Sequence, residues 1–317
     1  MRTAFIKTLF DLAKQDERIN LIVGDLGYSV VEPFQKEFPS RFINAGVAEQ
    51  NMTGMAAGLA LSGKIVFTYS IANFPTLRCL EQIRNDICYH KANVKIVAVG
   101  GGFAYGALGV THHATEDLAI MRSLPNMLVI APGDPVEAKL ATQALVEHEG
   151  PGYLRLGKAG EPKIHQDEID FKLGKAIELK YGTDITLIST GGMLFNSLKA
   201  AEKLEEQGIS VRLLSMHTVK PLDNEAVLKA ASETSAMFTI EEHSIIGGLG
   251  GAVAETLAES GNSQVYFKRL GIPSTFISQV GNQEYLRNLF SLSAEGILNS
   301  VETALKKTES WSSKKFI

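Results

Sequence analysis

"FINAGVAEQNMTGMAAGLALSG", Phe42 to Gly63, is the stretch on which the reading of this chain turns. FIN has the composition of a buried strand, AGVAE turns the chain, and a long helix of small apolar residues follows until glycine closes it. Glu49 stands at the turn and is the only acidic residue in the run. An acid at a helix start interacts favourably with the helix dipole, which is one reading. The other is a carboxyl group held protonated or paired inside an apolar pocket.

Outward from this run, short apolar strands alternate with helices. AFIKTLFDLAKQD, VVEPFQKEF, LRCLEQIRNDICYHK and PVEAKLATQALVEHEG read as helical, and THHATEDLAIMRSLP opens another helix with Thr111 as its cap. INLIVGDLG, KIVFTYSI, VKIVAVGGG, NMLVIAPGD and PGYLRLGKAG read as strands. The fold class is therefore α/β, with a mostly parallel sheet covered on both faces. A polar stretch over 161–182 reads as a linker with a small hairpin, and a smaller α/β unit begins near Thr183. In it, ISVRLLSMHTVKPLD is a strand with a proline exit. The expected organisation is a first domain over 1–160, a linker over 161–182 and a second domain over 183–317, with a loose polar tail, TESWSSKKFI.

The composition is that of a globular protein, with 45% hydrophobic and 21% charged residues. A net charge of -4 with no basic stripe argues against nucleic-acid binding. No apolar run is long enough to span a bilayer, and the amphipathic, acid-bearing start MRTAFIKTLFDLAKQD is not a signal peptide. A cytoplasmic location is the expectation. Cys79 and Cys88 form neither a disulfide framework nor a metal motif.

Ligands of such sheets bind beyond the carboxyl ends of the strands. Three loops qualify: GDLGYS at 24–29, NAGVAE at 44–49 and GGGFAYGALGVTHHATE at 100–116. The adjacent pair His112 and His113 does not face one way on a helix and is no metal site by itself. Glu116, four residues beyond His112, would share a helix face with it. The triple glycine at 100–102 and GGLGG at 247–251 match neither GxGxxG nor the Walker pattern and read as plain turns. Phe74, Phe103 and Tyr105 read by default as packing residues.

"GVAEQNMTGMAAGLALSG", "LEQIRNDI", "GVTHHATEDLAIMRSLPNMLVIAPGD" and "AEGI", in this order, resemble the transketolase family of thiamine diphosphate enzymes. The resemblance covers essentially the whole chain, as a pyrimidine-binding domain followed by the family's C-terminal domain. It looks most like the stand-alone C-terminal subunits of split transketolases. Deoxyxylulose-phosphate synthase and the beta subunits of 2-oxoacid dehydrogenases are broader relatives.

What the resemblance implies is specific. The family glutamate that hydrogen-bonds N1' of the aminopyrimidine falls on Glu49, and it favours the imino tautomer that takes the thiazolium C2 proton. An apolar pocket lets a carboxyl group share a proton with that nitrogen. The aromatic that stacks on the aminopyrimidine falls on Phe74 in "YSIANFPTLRCLEQI", with Ile71 and Tyr69 as nearby substitutes for that place. Asp25 lies near the cofactor and Ser29 near a substrate phosphate. His112 matches the histidine that handles protons at the substrate oxygen, and Arg155 an arginine that grips a sugar phosphate. Three positions depart from the family. An acid expected to touch a sugar hydroxyl is Leu108, a phosphate-contacting histidine is Gly100, and a glutamine is His113. These changes make the substrate side more apolar.

The resemblance also implies a partner. The family binds diphosphate and a divalent ion such as Mg2+ through an N-terminal domain with a Gly-Asp-Gly stretch and a downstream Asn, and "VGDLG" at 23–27 is not that motif. A separate N-terminal subunit would supply that half, in an α2β2 assembly with sites at its interfaces. The implied reaction moves a two-carbon ketol unit between a ketose and an aldose. The alternatives are transfer of a pyruvate-derived unit to a keto sugar, free or nucleotide-linked, and the beta half of a 2-oxoacid dehydrogenase. Glu241, Glu242 and His243 offer a cleft lining in the second domain, with His243 read as structural.

Overall fold

The computed structural model describes residues 1–261 and 265–312. The first half runs α1 (Arg2–Ala13), β1 (Ile19–Val23), α2 (Glu32–Glu37), β2 (Phe42–Asn44), α3 (Glu49–Leu61), β3 (Ile65–Ile71), α4 (Asn73–Thr76), α5 (Leu80–Gln82), β4 (Val94–Val99), α6 (Asp117–Ser123), β5 (Leu128–Ile130), α7 (Pro135–Glu147) and β6 (Gly152–Leu156). The second half runs β7 (Ile177–Lys180), β8 (Ile185–Ser189), α8 (Leu194–Glu206), β9 (Val211–Ser215), β10 (Thr218–Lys220), α9 (Asn224–Glu233), β11 (Ala236–Ser244), α10 (Leu249–Glu259), β12 (Tyr266–Ile272), α11 (Gln283–Leu289) and α12 (Ala294–Ser312).

Two sheets result, ordered β10-β5-β6-β4-β3-β1-β2 and β12-β11-β8-β9-β7. Ladders are parallel except β10 with β5 and β7 with β9. This is the expected architecture, a mostly parallel α/β domain followed by a smaller α/β domain. Strands β1, β3, β4 and β6 are buried along their whole length, as strands covered on both faces must be. Phe5, Leu9, Phe34 and Leu145 fill one face of the larger sheet. Met52, Ala56, Ile83, Leu118 and Met121 fill the other. Small residues on α3 let that helix lie close against β3, which brings Glu49 to the carboxyl ends of the strands.

Several elements differ from the sequence expectation. The helix after the histidines starts at Asp117 with Glu116 as its cap residue, not at Thr111. The chain before it is pinned by an antiparallel bridge between Gly102 and Ala114, so the histidines lie on a loop. The expected helix over LRCLEQIRNDICYHK is a short α turn followed by a π turn over Ile83–Cys88. The linker stretch contributes β7 to the second sheet. The tail is helical to Ser312, and the rest of the expected loose segment, 313–317, lies outside the described residues.

The largest difference is β10. "SMHTVKP" does not simply leave its strand; Thr218–Lys220 crosses to the first sheet and pairs with β5. Lys220 Nζ then donates to the carbonyls of Arg122 (2.9 Å) and Leu124 (2.5 Å), at the end of α6. A sheet edge and a helix end both gain partners this way.

Lys95 shows how the sheet tolerates a charge. It sits on β4 with a fully buried side chain, and its Nζ donates to the carbonyls of His148 (2.6 Å) and Gly150 (2.5 Å) beyond α7. Burial pushes its pKa down from 10.5 to about 7. Between those values the unfolded chain binds more protons than the folded one, so this group makes stability rise with pH over that window. Urea unfolding from about pH 7 to about pH 9 should show the rise in the wild type, by at most about 1.4 kcal/mol per pH unit. Lys95→Met should flatten it.

Candidate active site

Glu49 opens α3, and its neighbour Ala48 provides no side-chain cap. Its carboxylate is 1% exposed. One oxygen, Oε2, lies 2.5 Å from Arg78 Nη1. The other, Oε1, is buried and has no hydrogen-bond partner. A Cβ at Gly24 would stand 3.4 Å from Ser70 Oγ and 3.6 Å from Glu49 Cγ. Ser70 Oγ is also buried without a partner. These are two of the eleven buried side-chain polar atoms without a hydrogen-bond partner among the described residues, and both flank Gly24, where they can receive hydrogen bonds.

Phe74 is half-buried in the short helix after β3, and Ile71 is buried at the end of that strand. The Phe74 ring meets Arg78 Cζ at 5.0 Å and the His112 ring, edge-on, at 5.2 Å. Glu49, Arg78, Phe74 and His112 thus form one continuous chain of contacts. His112 Nδ1 lies 3.0 Å from Thr111 Oγ1, while Glu116 accepts from Thr115 instead of reaching His112. Burial, then the neighbouring His113, lowers the His112 pKa, which favours a neutral ring able to accept a proton. His113 is 2% exposed and packs edge-on against Phe103 at 5.3 Å, with Nε2 3.3 Å from the Gly106 carbonyl. Asn73 holds this loop by donating to the carbonyls of His113 (2.5 Å) and Thr111 (3.2 Å).

Asp25 and Ser29 bracket the neighbouring loop, both with positive φ (54° and 63°). Asn44 Nδ2 donates to Asp25 Oδ1 (2.9 Å), the Asp25 amide donates to Asn44 Oδ1 (3.1 Å), and Ser29 is exposed. This clasp fastens the loop to β2, one turn before Glu49. Leu108 is 56% exposed. At Gly100, φ is 88° and a Cβ would come within 2.2 Å of the Tyr105 ring, so the tyrosine fills the space a histidine side chain would need.

Arg155 lies deeper. Nε donates to Asp117 Oδ2 (2.8 Å), and Nη2 donates to Asp117 Oδ1 (3.2 Å) and the carbonyls of Ala114 (2.8 Å) and Glu242 (3.0 Å). Tyr153 OH donates to the same Asp117 (2.6 Å). Glu242 in turn accepts from the Phe103 amide (2.8 Å), Gln283 (3.0 Å) and Arg287 (2.7 Å). Its neighbours are structural too. Glu241 accepts from the Leu249 and Gly250 amides at the start of α10 (2.8 Å each), and the Ala119 amide donates to His243 Nε2 (3.3 Å). The run Glu241-Glu242-His243 therefore welds the two domains.

Arg78, Ser70, Asn73 and Asp117 are not singled out by sequence reasoning. Arg78 carries a signal: it is the only charged residue between Ile65 and Leu80, as Glu49 is within its own run. A lone anion and a lone cation in two apolar stretches are candidates for each other, because a buried charge needs a partner.

Comparison with known proteins places the chain in a family. Residues 1–161 match the model of the transketolase pyrimidine binding domain, and residues 174–297 match that of the transketolase C-terminal domain. The chain belongs to the transketolase family. It is 41% identical over 308 residues to an apulose-4-phosphate transketolase subunit of Phocaeicola vulgatus, covering 96% of this chain and 97% of that one. It is 40% identical to a 6-deoxy-6-sulfo-D-fructose transketolase subunit of Clostridium sp. strain MSTE9, covering 97% and 95%. A solved split gene transketolase, an inactive beta4 tetramer, superposes with a TM-score of 0.89 at 40% identity over 96% of this chain and 98% of that one. This transketolase-family chain comprises the family's pyrimidine-binding and C-terminal domains, as the two named subunits and the split gene transketolase do over nearly their whole lengths. Among the described residues, no group of three or more His, Cys, Asp or Glu side chains could hold a metal ion, and no helix is long and apolar enough to cross a membrane.

Removing one member of the buried Arg155–Asp117 pair should be costly. Asp117→Ala should lower unfolding free energy by about 3–5 kcal/mol in urea titration, because it leaves a guanidinium buried without its carboxylate. A loss under about 1 kcal/mol would show the pair to be dispensable.

Proposed function

We propose that this subunit moves a two-carbon ketol unit between a ketose and an aldose, using thiamine diphosphate shared with a separate N-terminal chain. The observation that carries the reading is the unpartnered, buried Glu49 Oε1 beside the half-buried ring of Phe74. An aminopyrimidine presents hydrogen-bonding nitrogens on its edge and a flat face, and this place offers a carboxylate and an aromatic ring. The residues fit that half of the cofactor. When bound, thiamine diphosphate supplies the electron sink for cleaving and forming the carbon–carbon bond.

Each residue then has a task. Glu49 holds a proton at the pyrimidine edge. Phe74 and Ile71 seat the ring. Asp25, clasped by Asn44, orders the loop next to it. His112, kept neutral by burial, accepts or returns a proton at a substrate oxygen. Ser29 is the residue for a substrate phosphate, whereas Arg155, expected to share that task, is committed to Asp117 and to two carbonyls. Ser29 is exposed to receive one, and Arg155 backs the loop from within. His113 supports the loop through Phe103, and Leu108 faces the substrate side.

The partner chain, in this reading, binds the diphosphate and a Mg2+-like ion, and two copies of each chain form an α2β2 assembly with sites at their interfaces. Residues 1–161 and 174–297 answer to two of the family's domains, and the named relatives are themselves subunits. Sugars rather than nucleic acids are the substrates. Cys79 and Cys88, both free and buried, suit a reducing cytoplasm.

A second reading keeps the cofactor and changes the donor to pyruvate. Exposed Leu108 and the Tyr105-filled space at Gly100 favour it, since both remove polar partners from the sugar-phosphate side. The reconstituted pair of chains decides. Transfer from xylulose phosphate without carbon dioxide release is the expected result, and carbon dioxide release from pyruvate with transfer of the remaining unit would favour the second reading. Glu49→Gln should lower turnover by at least about a hundredfold with either donor. Near wild-type turnover in that variant would sink the assignment of Glu49.

A further inference from the structure

We propose that Arg78 occupies the aminopyrimidine's place in the unassembled chain and must be displaced from Glu49 and Phe74 before the cofactor can bind. The inference rests on the reading of those two residues as the aminopyrimidine contacts. Arg78 engages the same two side chains that the ring is expected to engage, taking Glu49 through the neighbouring oxygen, Oε2. Its Nη1 donates to Glu49 Oε2 at 2.5 Å, and its Cζ lies 5.0 Å from the centre of the Phe74 ring. A guanidinium is planar, carries its donors along an edge and stacks on aromatic faces, so it satisfies the same two recognition elements as an aminopyrimidine.

The way Arg78 is held suits a group that leaves. Arg155 is 5% exposed and makes four hydrogen bonds, which builds it into the molecule. Arg78 is 46% exposed, and among the described residues its one hydrogen bond is the one to Glu49. It sits in the turn over 77–79 between α4 and α5, outside a regular helix, so its backbone is not locked in a ladder. Departure moves its charge a short way into solvent. Glu49, 1% exposed, has no such route and needs a partner at every stage. One partner therefore hands the carboxylate to the other. The consequence is competition: the free chain's affinity for the cofactor is reduced by the fraction of molecules in which Arg78 covers the site. Glu49 stays neutralised until assembly supplies the remaining cofactor contacts.

Five full-length chains test this: wild type, Arg78→Met, Arg78→Lys, Glu49→Gln and the Arg78→Met/Glu49→Gln double variant. Binding of thiamine diphosphate with Mg2+ is measured by ligand-observed NMR at millimolar cofactor, and thermal unfolding is followed in the same samples. Arg78→Met should bind the cofactor about tenfold or more tightly than wild type. In the absence of cofactor it should melt several degrees lower, because Glu49 is left buried and unpaired. The double variant should regain most of that loss. Arg78→Lys, which keeps the charge but loses the flat fork, should bind a few-fold more tightly than wild type, and it serves if Arg78→Met does not fold. Equal, weaker or undetectable binding in Arg78→Met, or in Arg78→Lys where that variant replaces it, overturns the proposal. Wild-type binding by Glu49→Gln would instead remove the underlying reading of Glu49. Weakened binding by Glu49→Gln with no gain in the Arg78 variants removes Arg78's role alone.

Discussion

A guanidinium sealed between two sheets has to find carboxylates and carbonyls, and the arrangement around Arg155 follows from that demand. It takes Asp117 from the start of α6, the Ala114 carbonyl from the histidine loop and the Glu242 carbonyl from the second domain. Each of those partners lies on a different segment, so satisfying one side chain fixes three pieces of backbone at once. Glu242 extends the network to Phe103, Gln283 and Arg287. The loop that carries His112 is held by this lattice from behind and by Asn73 from the side. Its rigidity comes from buried polar groups, which are costly to leave unsatisfied, more than from any secondary structure of its own.

The site uses the opposite strategy. Around Gly24 the molecule leaves two buried oxygens, Glu49 Oε1 and Ser70 Oγ, without a hydrogen-bond partner. Such incompleteness is tolerated where function requires it and where the scaffold is stable enough to carry the cost. Parallel strands buried along their whole length supply that stability, and α3, rich in small residues, brings the carboxylate to the ends of those strands, where Arg78 is its one hydrogen-bond donor among the described residues.

The legibility of these features in sequence is uneven for physical reasons. Glu49 stands out because one acid in an apolar run conflicts with everything around it. The alternation of apolar strands and helices is equally plain, since burial imposes the pattern locally. The helix near the histidines starts later than its sequence suggests. Thr111 looks like a cap, whereas the Gly102–Ala114 bridge keeps the chain irregular until Asp117. Which of two adjacent histidines turns inward depends on Phe103, and sequence spacing does not report that contact. Pairs such as Arg155 with Asp117 join distant segments, and no local period encodes them. The match of Arg78 to Glu49 is partly visible, as two solitary charges of opposite sign, but its meaning requires the distance.

Thr218–Lys220 has a consequence for the idea of separable halves. The stretch belongs by sequence to the second domain and by hydrogen bonding to the first sheet. A fragment ending near residue 160 would therefore lose the strand that covers β5 and display a row of unpaired amides and carbonyls to solvent and to other copies of itself. Exposed edges of that kind recruit strands from neighbouring molecules. The borrowed strand thus acts as a seal against self-aggregation, and the two domains are best regarded as one folding partnership rather than as modules that can be exchanged or expressed apart.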